Sequence, residues 1–309
     1  MYQGLASSTR RTYSCAQEKF VNFCIMTGHL SPYGSPCPAS EWTLCLFATF
    51  LADSLRHSSI KVYLSAVRSL HVDQGFPDPL ENCLRLQRVV RGIKRSQGAL
   101  PSRPRLPVSS NILRIIYSAI DLKSFDDVMF WAACLLAYFG FLRSAEFTVP
   151  SLSAFNPSVH LSLSDVSVDV PLNPSCLQVF IKASKTDPFR KGCNILIGLG
   201  SPPLCAVQAV VSYLARRGHR PGPLFLLENG LPLTRSLVTD RLRAILLSAG
   251  LSGDFSSHSF RIGAATSAAK AGVPDHLIQV LGRWKSDAYK QYIRTPPDVL
   301  IRAAKSLVE

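Results

Sequence analysis

Acidic residues are scarce in this chain, with 20 Asp and Glu against 34 Lys and Arg in 309 residues, a formal charge of +14. Such an excess suits a polyanionic partner such as nucleic acid; charge alone is also compatible with acidic proteins and anionic membranes. Long apolar runs are missing too. The longest charge-free stretch around the most apolar segment, Val128 to Leu142, is shorter than the ~20 residues that cross a bilayer and contains Gly140. A buried helix is expected there, and no membrane partner. The N-terminus lacks the basic-then-apolar order of a signal peptide, which predicts an intracellular, non-secreted protein. Nine cysteines are scattered with no C-x-x-C pair, so neither a zinc site nor a disulfide framework is indicated. Both N-x-S matches, at Asn156 and Asn173, carry Pro in the middle and are not glycosylation acceptors. Also absent are the P-loop, the Rossmann glycine fingerprint, G-x-S-x-G and H-E-x-x-H. Nucleotide hydrolysis, dehydrogenation, serine hydrolysis and zinc proteolysis therefore lose their usual signals, leaving Arg, His, Lys and Tyr to carry any chemistry.

Apolar residues make up 47% of the chain, in the globular range, and the length favours two domains. From Ser7 to Gly98 the pattern is helical. Ser7, Ser8 or Thr9 can cap a first helix with Tyr13, Phe20 and Phe23 on one face, ended by Thr27-Gly28. A second helix covers Glu41 to Ser54, and a third starts at Ser58 with Val62, Val67 and Leu70 at helical spacing. The fourth runs from about Leu80 to Lys94. There Leu86, Val90 and Ile93 form an apolar stripe, and Arg88, Arg91 and Arg95 fall on another face. Residues 99–107 have the Pro-rich composition of a linker. Splitting the chain at residue 105 leaves 13 basic and 6 acidic residues before the cut and 21 and 14 after it, so each part carries +7. Beyond the linker, helices are expected over Ser109 to Ile120 and Phe125 to Leu142. Alternation over Leu161 to Val170 and β-favouring runs at Leu177 to Ala183 and Cys193 to Gly198 follow. Helices then resume at Leu204–Arg216, Thr234–Ser248, His258–Ala271, Asp275–Leu281, near Tyr289 and over Pro297–Val308.

His258 and Arg261 are three apart on a predicted helix, so an imidazole and a guanidinium project side by side. The pair suits a phosphodiester, because Arg forks onto two oxygens and His exchanges a proton near neutrality. A surface helix start with a solvated Arg is the bland alternative.

With this pair the chain resembles the tyrosine recombinase (phage integrase) family along nearly all its length. The resemblance rests on Gly140-Phe-Leu-Arg143-Ser-Ala-Glu146, the Lys185 turn from Ser184 to Gly192, His258-Ser-Phe-Arg261, Trp284 and Tyr292, in that order. The details of Ser184 to Gly192 and of Gly282 to Arg294 look most like the recombinases of eukaryotic DIRS-like mobile elements. The family places the nucleophile about nine residues after its His or Trp. Tyr292 is eight after Trp284 and nine after Arg283, and Tyr289 is its competitor.

The resemblance implies a mostly α fold with a small antiparallel β-sheet, in two domains. These would be a helical core-binding (SAM-like) domain over 1–98 and a mixed α/β catalytic domain over 108–309. It implies that Tyr292 attacks double-stranded DNA to give a 3′-phosphotyrosine and a free 5′-hydroxyl, without metal, ATP or other small-molecule cofactor. Arg143 and Arg261 would neutralise the phosphate, Lys185 protonate the leaving oxygen, His258 assist proton transfer and Trp284 buttress the phosphate through its indole N–H. Glu146 is expected to orient an Arg or cap a helix. Lys61, Arg68, Arg88, Arg91, Arg95 and Lys191 are candidate DNA contacts, with solvated basic faces as the alternative. A nuclear location is expected. So is a tetramer on paired DNA sites, tied together by a C-terminal amphipathic helix with Val299, Leu300, Ala303, Ala304 and Leu307 on one face. A catalytically silent DNA-binding protein derived from a mobile element and a type IB topoisomerase-like enzyme are the competing readings.

Overall fold

The computed structural model describes residues 4–98, 104–295, 301, 304 and 305. The chain divides into two compact units, Met1–Ser102 and Arg103–Glu309. Residues 99–103 of the expected linker, and most of the expected C-terminal helix over Pro297–Val308, lie outside the described residues.

The first unit holds four helices: α1 (Ser7–Thr27), α2 (Glu41–Ala52), α3 (His57–Asp73) and α4 (Leu84–Gln97). Helix α1 starts behind Ala6, so Ser7 to Thr9 lie inside the helix instead of capping it; Gly28 ends it with the left-handed φ of 69° that glycine adopts without strain. The Ser40 hydroxyl accepts the Thr43 N–H and caps α2. On α3 the buried stripe is Ile60, Leu64, Val67 and His71, whereas Val62 faces solvent, a correction to the expected face. Helix α4 begins at Leu84 rather than Leu80. The Glu41 carboxylate, from α2, accepts the Arg85 and Leu86 N–H groups at 2.7 and 3.2 Å and fixes that start. Phe20, Phe23, Leu44, Phe47, Leu51 and Ile60 fill the core, with Phe20 edge-on to Phe47 at 5.1 Å.

In the second unit, α5 (Ser110–Ala119) and α6 (Phe125–Phe139) are capped by Ser109 and Ser124. Helix α6 is buried along most of its length and ends at Phe139, three residues short of the expected end at Leu142, with Gly140 as its C-cap. Phe141 takes a left-handed φ of 49°, and the chain restarts in the short α7 (Ser144–Phe147). Arg143 therefore stands at the N-terminus of α7, where a cation gains nothing from the helix dipole.

A 3-10 turn at Leu163–Asp165 leads into β1 (Val166–Val168), which pairs antiparallel with β2 (Cys176–Ile181); β2 pairs antiparallel with β3 (Cys193–Gly198). Registers run Val166 to Val179 and Ile181 to Cys193. Leu177, Val179 and Ile181 point inward and alternate with exposed neighbours, as a one-sided sheet requires. The expected long strand over Leu161–Val170 shrinks to three residues because the Asp165 carboxylate accepts the Ser162 N–H and bends the chain.

Helices α8 (Ala206–Arg217), α9 (Arg235–Ser248), α10 (Ser259–Lys270) and α11 (Asp275–Leu281) follow, then a 3-10 turn at Asp287–Gln291. Two backbone hydrogen bonds, Leu106 N–H to Asp254 and Val108 N–H to Ser259, dock the segment before α5. The fold is mostly helical with a small three-stranded antiparallel sheet. Among the described residues no helix is long and apolar enough to cross a membrane.

Candidate active site

Three segments far apart in sequence meet at one cluster. The α6–α7 turn brings Arg143, the start of α10 brings His258 and Arg261, and the stretch after α11 brings Arg283, Trp284 and Tyr292. His258 occupies the position before α10 with helical backbone angles, so His258 and Arg261 stay one turn apart although only Arg261 is inside the helix. Helix α10 can sit this close because Gly263 lacks a side chain: a Cβ there would lie 1.8 Å from the Val108 carbonyl oxygen.

Arg261 is fully buried. Its Nη1 donates to the Phe141 carbonyl and its Nη2 to that of Gly282, tying the two turns together. The guanidinium carbon lies 4.2 Å from the centre of the Trp284 ring and 5.6 Å from that of Tyr292. Burial, and next the Arg143 charge, push its proton affinity down. Its Nε and that of Arg283 are the buried side-chain polar atoms, among the described residues, that have no hydrogen-bond partner. An orphaned buried donor costs about 1–3 kcal/mol, so it is a feature that needs a reason.

The Tyr292 ring is half-buried, 5.3 Å from the His258 ring and 5.0 Å from Trp284. Its carbonyl accepts the Thr266 hydroxyl of α10 at 3.2 Å, which in turn accepts the Arg294 N–H, so α10 holds both the imidazole and the tyrosine backbone. Tyr289 is placed differently: its ring is buried and its hydroxyl donates to Asp275 at 2.8 Å. Trp284 is a packing surface for Arg261 and Tyr292, made possible by Gly282, whose Cβ would overlap the indole at 1.5 Å. His258 is held neutral, its pKa pushed down to about 4 by burial first and then by Arg261, Arg105, Arg235 and Arg143.

Arg143 Nη1 meets Glu146 Oε1 at 3.0 Å, and its Nη2 reaches Thr186 in the β2–β3 loop at 3.4 Å. Lys185, next to Thr186, is exposed. The loop is shaped by Asp187, which accepts the Gly192 N–H at 2.8 Å. Lys191 is exposed on the same loop. Glu146 both orients an Arg and caps a helix, accepting the Arg143 N–H at 2.9 Å. Lys61, Arg88, Arg91 and Arg95 are exposed on the first unit and make no ion pair among the described residues; Arg68 is also exposed but pairs with Asp78 at 2.7 Å.

Sequence reading missed three cations. Arg105 and Arg235 both act on His258, and Arg283 joins Glu146 at 2.6 Å. Only the spacing of nine residues between Arg283 and Tyr292 hinted at the last. Among the described residues no group of three metal-ligating side chains converges. The cluster thus offers guanidinium donors for an anion and a hydroxyl beside a neutral imidazole.

The phage integrase family model matches residues 172–295. A curated relative, an integrase/recombinase XerD homologue of Selenomonas ruminantium, is 24% identical over 298 residues, 91% of this chain and 80% of that protein. Among solved structures, XerH site-specific recombinase in a post-cleavage complex with its difH substrate is 17% identical with a TM-score of 0.67, covering 97% of this chain and 80% of that one. The Tn1549 transposon integrase bound to circular intermediate DNA is 16% identical with a TM-score of 0.62, covering 98% and 94%. A lambda integrase dimer on a core site is 15% identical with a TM-score of 0.57, covering 94% and 90%. Residues 172–295 thus match the phage integrase family model, and most of the chain shares its fold with solved site-specific recombinases.

Proposed function

We propose that the chain is a site-specific DNA recombinase in which Tyr292 is the nucleophile. One observation carries the reading: the Tyr292 ring packs against His258, Trp284 and Arg261, whereas the Tyr289 hydroxyl is engaged by Asp275. The Tyr292 oxygen attacks a DNA phosphorus, the phosphotyrosine bond forms and the bond to the 5′-oxygen breaks. The phosphodiester energy is kept, so a second strand's 5′-hydroxyl can reverse the step. Arg143 and Arg261 meet the charge that builds on the non-bridging oxygens. Neutral His258 is fitted to accept the Tyr292 proton, and Lys185 to protonate the leaving 5′-oxygen. Trp284 supports Arg261 from beneath.

The DIRS-like affiliation, a nuclear location and assembly to a tetramer on paired double-stranded DNA sites belong to the same proposal. Four strands must be cut to exchange two duplexes, which calls for four active sites.

The test uses nicked duplexes of randomised sequence, from which the cleaved short strand diffuses away and leaves the adduct trapped. Covalent protein–DNA adducts are captured under denaturing conditions and their DNA is sequenced. Wild type and Tyr289→Phe are expected to form adducts, and Tyr292→Phe none. An adduct on Tyr292→Phe, or none on wild type, overturns the proposal. Relaxation of supercoiled DNA without strand exchange would replace it with the topoisomerase-like reading.

A further inference from the structure

Partly buried Arg143 and buried Glu146 form an ion pair, and a lone pair of that kind is electrically neutral. A neutral pair is a poor receptor for a phosphodiester anion. The structure places a second guanidinium on the same carboxylate: Arg283 Nη2 lies 2.6 Å from Glu146 Oε2, a shorter contact than the 3.0 Å from Arg143 Nη1 to Oε1. The trio of Arg143, Arg283 and Glu146 is then net positive, and Arg261 adds another charge beside it.

Arg283 is built in for this position. Its Nη1 donates to the Gly140 carbonyl at 3.1 Å, its side chain is largely buried, and its backbone holds a left-handed φ of 56° that a non-glycine residue rarely adopts. Phe141, in the facing turn, is left-handed as well. Both terminal nitrogens of Arg283 are engaged by protein, while the second terminal nitrogen of Arg143 makes only a long 3.4 Å contact to Thr186. Arg143 is therefore the guanidinium free to turn toward a ligand, and Arg283 is the one that stays.

Resting on the recombinase reading above, we propose that Arg283 is a positioning residue that carries the charge of Glu146, leaving that of Arg143 for the scissile phosphate. Its role is electrostatic as well as mechanical, and the two are separable.

The experiment measures the single-turnover rate of adduct formation at saturating DNA, the DNA affinity and the melting temperature. The DNA is a sequence recovered by adduct capture. Arg283→Gln is expected to slow adduct formation by about 10- to 100-fold, at or below the loss of a direct transition-state donor, with DNA affinity nearly unchanged. Arg283→Lys keeps the charge and is expected to stay within about tenfold of wild type and above the Gln variant. The double variant Glu146→Gln/Arg283→Gln removes the carboxylate that Arg283→Gln leaves uncompensated, so its loss is expected to be smaller than the product of the two single losses. An unaffected Arg283→Gln, a lysine variant as slow as the glutamine one, or strictly multiplicative losses would each overturn the proposal. If Arg283→Gln fails to fold, the Arg283→Lys rate decides alone: a loss beyond tenfold overturns the proposal. A wild type that forms no adduct overturns the recombinase reading, and this inference falls with it. An adduct-forming wild type with an indifferent Arg283 overturns this inference alone.

Discussion

His258 shows how much of the site is set by its neighbours. An imidazole ordinarily titrates at 6.5, but here burial and four guanidinium groups, those of Arg261, Arg105, Arg235 and Arg143, hold its pKa down to about 4. The unfolded chain therefore binds a proton at this position between pH 6.5 and about 4 that the folded chain refuses. Stability contributed by neutral His258 is complete above that window and is lost as the pH falls through it. His57, His71 and His160 are also depressed and add the same sign. His258→Gln should therefore flatten the acid side of the stability profile, as read by urea titrations at several pH values. DNA phosphates placed against the four arginines should raise the pKa of His258, because they cancel the charges that depress it. Ring-carbon NMR of His258, assigned by its loss in His258→Gln, should give a midpoint near 4 in free protein and a higher one on DNA. A free-protein midpoint near 6.5, or one that DNA leaves in place, would show that the arginines do not govern this imidazole.

At the level of elements, Gly263 of α10 makes a sharper test than any surface position. Alanine favours a helix interior over glycine by about 1 kcal/mol, but its Cβ would stand 1.8 Å from the Val108 carbonyl oxygen. Overpacking costs about 1–3 kcal/mol even for milder overlaps. The steric cost wins, so Gly263→Ala should lower the urea midpoint and, by tilting α10, slow adduct formation through Arg261 and Thr266. A midpoint that rises would mean that the Val108 segment yields freely.

Local caps decide which elements are readable from sequence. Helices α2, α5, α6 and α9 start where expected because Ser40, Ser109, Ser124 and Thr234 cap them within three residues. Helix α4 starts four residues late because its cap, Glu41, is 44 positions away from Arg85. The residue types at Arg143, His258, Arg261 and Tyr292 were legible as a set. The Arg283–Glu146 bond was not, because it spans 137 positions and depends on a left-handed turn that no local pattern announces.

For the whole molecule the decisive quantity is the distribution of charge, +7 on each side of residue 105. Field strength alone does not identify contacts, since exposed cations with nearby carboxylates contribute little. Arg68 is in that position, paired with Asp78, while Arg88, Arg91 and Arg95 are exposed on α4 without an ion pair among the described residues. Each phosphate that a cation neutralises contributes about 0.9 to the slope of log K against log salt. The triple variant Arg88→Gln/Arg91→Gln/Arg95→Gln should therefore flatten that slope by about 2.7 if all three meet phosphates, with little change in sequence preference. Arg68→Gln should change it less, because Asp78 already offsets that charge. Adduct formation by the triple variant at saturating DNA should match wild type, since in the proposed function these residues would hold the duplex and leave the chemistry to Tyr292. A slope that stays unchanged would return the α4 stripe to the role of a solvated face, and the +7 of residues 1–105 would then have to act through other cations.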